Sequence, residues 1–388
     1  DMSRDGDTQW FCDGMTEDIL TNLSKIKNLK VISRTSTERY RETDKSIPEI
    51  ASELGVSYIV EGSVRKFENQ VVITAQLINA NDTHLWAQNY NDDFKEVFKI
   101  QQDVSKKIVN ELQIAMSPEE EEAISKLPTD NLDAYNLVLK GRSFIEKSTK
   151  ENLAIGLNLF KQATELDNQY AEAFAELAYA NLLSIYINDR SERTRFLLAA
   201  KNNNEIALSL DQKCVRALSN KGLIMTESND KTEQLDAETY FKKALELNPN
   251  DAVSHVEISI FYEDLKKNNS LALYHARRAY ELNPLSADVI WNLGDKLVNS
   301  DLADEAQELF YEKRMLLPND EMTKEFSGFL TDSRSKLLLK KGGHWSKAIE
   351  IYLEGIKKEP NNPAMHHFLG SFYDNLMNDD VNAIRYFK

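Results

Sequence analysis

Glycine and proline are both in short supply, with 13 and 8 in a chain of 388 residues. Ordinary usage is roughly 7% and 5%, so breaks are few and the stretches between them suit long helices. The shortage argues against collagen-like and all-β architectures. Cysteine is scarcer still: Cys12 and Cys214 lie far apart with no CxxC pair, and they read as two separate buried thiols rather than a zinc site or redox couple. No uncharged run exceeds fourteen residues, against the roughly twenty apolar residues of a membrane helix. No basic n-region followed by an apolar h-region opens the chain, so this segment reads as soluble, without a membrane span of its own. Cations are outnumbered as well, 47 Lys+Arg against 63 Asp+Glu for a net −16, of which −5 falls in residues 1–117 and −11 beyond. Neither part is built to grip a phosphate backbone, so nucleic acid is not an expected partner.

The common catalytic signatures are missing too. No two glycines stand in a GxG arrangement and GxxxxGK[ST] is absent, so neither common phosphate-cradling loop can form. The six histidines, His84, His255, His275, His344, His366 and His367, include no HExxH and read as structural or surface residues. Ser24 with Lys27 and Ser333 with Lys336 match SxxK, but the SDN and KTG motifs that would complete that chemistry are not there. No catalytic residue, cofactor or metal ligand is nominated.

What is present changes character along the chain. Met15, Ile19, Leu20, Leu23 and Ile26 mark one face of a helix, and Leu29–Ser33 reads as a short β run. Ser46-Ile47-Pro48-Glu49 has capping-box spacing, with Gly55 placed to stop the helix in a left-handed conformation. Tyr58–Lys66 and Val71–Ala80 predict an antiparallel hairpin, with Leu85–Tyr90 a third strand. Phe94, Val97, Phe98, Val104, Ile108 and Leu112 then form an amphipathic stripe. Ser117-Pro118-Glu119-Glu120 starts another helix, its acidic run matching the positive end of the helix dipole.

From residue 131 onward strand signals vanish and a period emerges. Phe160-x2-Ala163-x-Glu165-Leu166-Asp167, Phe241-x2-Ala244-x-Glu246-Leu247-Asn248-Pro249 and Ala276-x2-Ala279-x-Glu281-Leu282-Asn283-Pro284 are copies of one helix ending. Upstream of each comes a small residue where two helices must approach closely: Gly141, Ala178, Gly222, Ser259, Gly294, Gly328 and Gly370, spaced by 37, 44, 37, 35, 34 and 42. Ile290-x2-Leu293-Gly294 and His366-x2-Leu369-Gly370-x2-Tyr373 resemble the tetratricopeptide motif. About seven repeats follow, the last incomplete.

The first part also carries a resemblance. Phe11-Cys12-Asp13-Gly14-Met15-Thr16-Glu17-Asp18-Ile19, Val31-Ile32-Ser33-Arg34-Thr35-Ser36, the stretch from Ile50 to Val64, Leu77-Ile78-x-Ala80 and Leu85-Trp86 are similar to the TolB amino-terminal-like domain. The resemblance implies the company this domain keeps in bacteria, where it precedes tetratricopeptide repeats and is attached to class III adenylate or guanylate cyclases, winged-helix regulators or protein kinases. It also implies an apolar strand ahead of Asp1, pairing beside Val31; an edge left open there would favour a homo-dimer.

Together these readings predict an α/β amino-terminal domain over 1–116, a mixed sheet with helices, then a helical connector over 117–130. An all-α tetratricopeptide-repeat superhelix would follow over 131–388. The expected function is a non-catalytic regulatory and protein-interaction region of a cytoplasmic bacterial signalling protein whose parent carries a cyclase or regulator module. The alternatives are a periplasmic Tol-like scaffold, or an enzyme fragment with an unfamiliar site. A protein or peptide would lie against the inner face of the repeats, since solenoids expose a long concave surface. Inner-face positions, counted one residue past the motif's Trp and four further on, together with acids close by, give Tyr179, Leu223, Ile260, Asp264, Trp291, Asp295, Phe329 and His367 as partner-binding candidates. Aromatics and acids there suit a neutral or basic segment with apolar anchors, Trp291 being its hot spot. Docking by the α/β domain would explain the same side chains by burial. Asp13, Thr16, Glu17 and Asp18 near Arg34, Thr35 and Ser36 form a second candidate, a small polar site; helix capping and pairing to Arg34 explain those acids equally well.

Overall fold

The computed structural model describes residues 9–67, 69–146, 149–316, 331–332, 335, 338–339, 342, 344–358, 360, 363–377 and 379–387. It divides into two compact units, Asp1–Glu257 and Ile258–Lys388.

In the first unit, α1 (Gln9–Ser24) is followed by a one-turn helix α2 (Arg34–Thr37) and by α3 (Ile47–Leu54). Ser46 and Glu49 cap α3 at 2.8 Å, and Gly55 ends it at φ +62°, as the spacing predicts. Three strands follow, β1 (Tyr58–Phe67), β2 (Gln70–Asn79) and β3 (His84–Asp93), in the order β1-β2-β3. Both pairings are antiparallel, which corrects the expected mixed sheet. Leu29–Ser33 is not a strand: a β run exists only by pairing, and no strand lies beside it among the described residues. Its Val31 and Ile32 are nonetheless buried.

Alternation on β2 sends Val71, Ile73, Ala75 and Leu77 inward, while Gln76 bonds Glu61 and Thr74 bonds Asn89 on the wet face. One buried and one solvated face is the usual condition of an antiparallel sheet. Helices α1 and α4 (Val97–Glu111) cover the buried face through Phe11, Met15, Val104 and Ile108. Trp10 meets Phe11 edge-on at 6.0 Å, and Trp86 packs against the same core. The capping box expected at Ser117 opens α5 (Pro118–Ser125), with Ser117 N–H donating to Glu120 at 2.7 Å.

Helix pairs then repeat: α6 (Leu132–Ile145) with α7 (Lys150–Leu166), α8 (Ala171–Ile187) with α9 (Arg193–Leu210), and α10 (Val215–Thr226) with α11 (Lys231–Leu247). The small residues fall where one helix crosses the next. A Cβ on Gly141 would lie 2.4 Å from the Phe160 ring, and one on Gly222 would lie 2.6 Å from Phe241. Both phenylalanines are fully buried, each contributing about 1.5–3 kcal/mol of transfer free energy. Tyr135 and Leu139 of α6 belong to the core under the sheet, so the three-stranded sheet and the first helix pair share one interior.

The division between units falls within α12 (Ala252–Asp264). The second unit continues with α13 (Asn269–Leu282), α14 (Ala287–Asn299), α15 (Ala303–Leu316), α16 (Trp345–Lys358), α17 (Pro363–Met377) and α18 (Asp380–Phe387). A Gly294 Cβ would come within 2.0 Å of Phe310. Ser259 replaces glycine by donating its hydroxyl to the Ala272 carbonyl at 2.9 Å, thirteen residues on. Ser335 makes the same bond to Ala348 at 3.2 Å, again thirteen residues on. Gly328, which the sequence spacing places at such a crossing, lies outside the described residues.

Candidate functional site

The inner-face candidates in the first unit sit on α8 and α10. Tyr179 is half-buried, with the Arg216 guanidinium over its ring at 4.4 Å; burial pushes its hydroxyl up to about 12. Leu223 is half-buried against Leu182, Ile185 and Phe196. Around them lies a polar network that the sequence reading missed. Arg216 approaches Glu176 at 3.8 Å, and Arg142 holds Glu176 at 2.9 Å and Glu172 at 2.5 Å. Ser219 donates to the Glu257 carboxylate and contacts Ser254 at 3.1 Å, while Ser254 bonds Asp251 at 2.6 Å. Burial raises Glu257 to about 7 despite the Arg216 charge and the Ser219 hydrogen bond, and burial tends to raise Glu172 too, but there Arg142 prevails and lowers it. The missed residues recur at helical spacing beside the named ones. Arg142 follows Gly141 by one residue and Glu176 follows its motif's Trp position by two, but Arg216 stands two residues before its own, so repeat phase alone does not mark the three together.

In the second unit Ile260 is 43% exposed and Asp264 is exposed on the same helix. Trp291 is half-buried, tilted against Phe310 at 6.2 Å, so it is a packing residue with one accessible side. Asp295 and Glu263 both meet Lys296, which is buried. His367 is exposed and edge-on to Phe368 at 6.1 Å. Phe329 lies outside the described residues.

The second candidate, near the start of the chain, is an ionic seam. Arg34 pairs with Glu17 at 3.1 Å and with Glu38 and Glu146. Asp13 pairs with Arg41, and Thr16 bonds back to the Cys12 carbonyl at 3.0 Å. Ser36 is buried and Thr35 exposed. The crevice among these groups holds only about 20 Å³, so Arg34 acts here as the salt-bridge partner of the acids. Asp18 turns to the first repeat, accepting from Tyr135 and from Gln101 at 3.1 Å, with Arg142 at 3.6 Å.

A larger apolar cavity, about 650 Å³, opens beside β1 and is lined by Met15, Ile19, Leu20, Val31, Val60 and Leu77. Val60 is 40% exposed although its partner across the pair, Leu77, is 1% exposed. Cys12 and Cys214 are free and buried, which pushes both thiols up, Cys214 to about 12. Two histidines have structural partners: His255 meets the Pro249 carbonyl at 3.3 Å and His366 the Pro360 carbonyl at 3.0 Å, six residues back in each case. Among the described residues no three His, Cys, Asp or Glu side chains gather as metal ligands, and no helix is long and apolar enough to cross a membrane.

No protein-family profile matches the chain. It is 33% identical over 215 residues to Putative adenylate cyclase 3 of Rhizobium meliloti (strain 1021), a match covering 55% of this chain and 35% of that protein. The chain thus spans about a third of the length of the curated relative it matches. Among solved structures, a tetratricopeptide repeat protein from Parabacteroides merdae superposes with TM-score 0.41 at 17% identity, over 66% of this chain and 91% of that one. Pseudomonas aeruginosa pilF gives 0.40 at 16%, over 61% and 96%. A human IFIT1 dimer with PPP-AAAA gives 0.41 at 16%, over 76% and 67%.

Proposed function

We propose that the chain is a non-catalytic regulatory and protein-interaction region of a cytoplasmic signalling protein, in which a TolB-like α/β layer precedes tetratricopeptide-type repeats. The observation that carries this reading is the set of first-helix side chains left accessible beside the packed seams. Tyr179 and Leu223 in the first unit, and Ile260, Asp264, Trp291, Asp295 and His367 in the second, lie beside helix pairs whose seams are filled by Phe160, Phe241 and Phe310. Glycine opposite each ring makes the pairing face rigid, and the inner face is left to recognition. The partner that fits is a neutral or basic segment with apolar anchors, because Tyr179, Leu223, Ile260 and Trp291 offer apolar surface and the exposed Asp264 sets an acid beside Ile260.

The curated relative favours a cyclase-type parent, whose catalytic module would then lie outside these residues. Incubating the chain with nucleoside triphosphates should give no cyclic nucleotide, phosphorylated product or hydrolysis. Turnover that survives purification and disappears on substitution of a residue in this chain would overturn the reading in favour of an enzyme fragment.

A further inference from the structure

Helix α1 has two faces with different neighbours. Met15, Ile19 and Leu20 line the apolar cavity beside β1. The opposite side meets the first repeat: a Gly14 Cβ would fall 2.5 Å from Leu139, and Asp18 lies 3.6 Å from Arg142. From Arg142 the contacts continue to Glu176 at 2.9 Å and from Glu176 to Arg216 at 3.8 Å, under which Tyr179 stacks at 4.4 Å. The line of charges therefore passes from α1 through α6 and α8 to α10. Its side chains are largely out of water, at 20% exposure for Asp18, 19% for Arg142, 4% for Glu176 and 24% for Arg216. A charge held in such surroundings cannot replace a lost partner with water, so each member depends on the placement of the next.

We propose that α1 is a relay, and that its seating against the apolar cavity is felt at the Tyr179 surface through Asp18, Arg142, Glu176 and Arg216. The functional side of this inference rests on that surface being the partner site, but the coupling itself is tested without a partner. Packing of Leu139 into the space above Gly14 would hold α1 in place without any energetic link to Arg216, so the two accounts separate cleanly.

Asp18 and Arg216 make no ion pair or hydrogen bond with each other, and substitutions without shared partners normally add. The test is a double-mutant cycle, Asp18→Asn with Arg216→Gln, read by urea unfolding of the whole chain. The expected result is a midpoint shift in the double variant that departs from the sum of the single shifts. That departure should vanish in a Glu176→Gln background. A control pair, Asp18→Asn with Arg193→Gln at the exposed Arg193–Glu227 contact, should add. Additivity of the Asp18 and Arg216 changes, or an equal departure in the Glu176→Gln background, overturns the relay. Should a variant fail to fold, amide hydrogen exchange in the Asp18→Asn chain decides. Faster exchange across Val215–Thr226 supports the relay, and unchanged exchange there overturns it. Loss of partner capture alone would sink the functional reading and leave the coupling standing.

Discussion

Repeats in the two units are built on the same seam but present different inner surfaces. Gly141 against Phe160, Gly222 against Phe241 and Gly294 against Phe310 are one device, a missing Cβ that lets the edge of an aromatic ring press close against the neighbouring helix. One turn away the likeness ends. In the first unit the inner side chains form a desolvated network of Arg142, Glu172, Glu176, Arg216 and Glu257. In the second, Ile260 and Asp264 face solvent and the buried Lys296 meets Glu263 and Asp295. The period thus constrains the packing face and leaves the inner face free to take on separate chemistry.

The largest expected effect breaks the first surface without touching the seam. Arg142→Gln takes the guanidinium away from Asp18, Glu172 and Glu176 and leaves only the more distant Arg216 beside Glu176 at 3.8 Å, and removing one side of a buried ionic group costs about 3–5 kcal/mol. A matching Lys296→Gln change in the second unit should cost less, because it strips the cation from two carboxylates, Glu263 and Asp295, where Arg142 serves three. Chemical denaturation of both variants checks the order, and equal losses would erase the contrast between the units.

Next come the seams themselves. Gly141→Val and Gly294→Val should each destabilise by about 1–3 kcal/mol through overpacking, with similar shifts in melting. A tolerated valine at either position would mean the ring is not held as described.

A smaller effect contrasts the two sides of the sheet pair in the first unit. Val60 lies exposed on the outermost strand while Leu77 opposite it is buried, and open edges associate. If the chain self-associates through this edge, Val60→Lys should lower the associated fraction in sedimentation across a concentration series without lowering the melting temperature. An unchanged fraction would remove β1 as the contact.

The smallest effect concerns protonation. Burial raises Glu257 to about 7, so between roughly pH 5 and 7 the folded state keeps a proton that the unfolded chain has already released, and stability falls as pH rises through that window. Glu257→Gln removes the titration. Its melting temperature relative to the parent chain should therefore improve from pH 5 to pH 7 and level off above, whereas a pH-independent difference would mean that Glu257 is ionised throughout.

Much of the architecture was legible because it depends on local chemistry. Ser46, Gly55 and Ser117 declare helix ends by spacing alone, and the Val71–Ala80 alternation declares a half-buried strand. Leu29–Ser33 misled because its apolar content reflects burial of Val31 and Ile32, while strand character needs a neighbour that residue type does not reveal. The bond by which Ser259 replaces glycine in its seam, a hydroxyl donated to a carbonyl thirteen residues on, was not legible, because serine carries no such signal by itself. At the inner face the named residues Tyr179 and Leu223 followed from repeat phase. Their ionic neighbours Arg142, Glu176 and Arg216 come from three different helices, so only the packed structure brings them together.

The most direct test of the interaction reading is capture of defined peptides by the whole chain. Basic and acidic peptides carrying the same apolar anchors would be compared by fluorescence anisotropy, against the parent chain and against Leu223→Asp and Tyr186→Asp variants, since Tyr186 is 72% exposed near the far end of α8. The account predicts that basic peptides bind, that acidic ones do not, and that Leu223→Asp abolishes capture while Tyr186→Asp leaves it intact. Equal binding of acidic peptides, or capture unaffected by Leu223→Asp and lost with Tyr186→Asp, would contradict it.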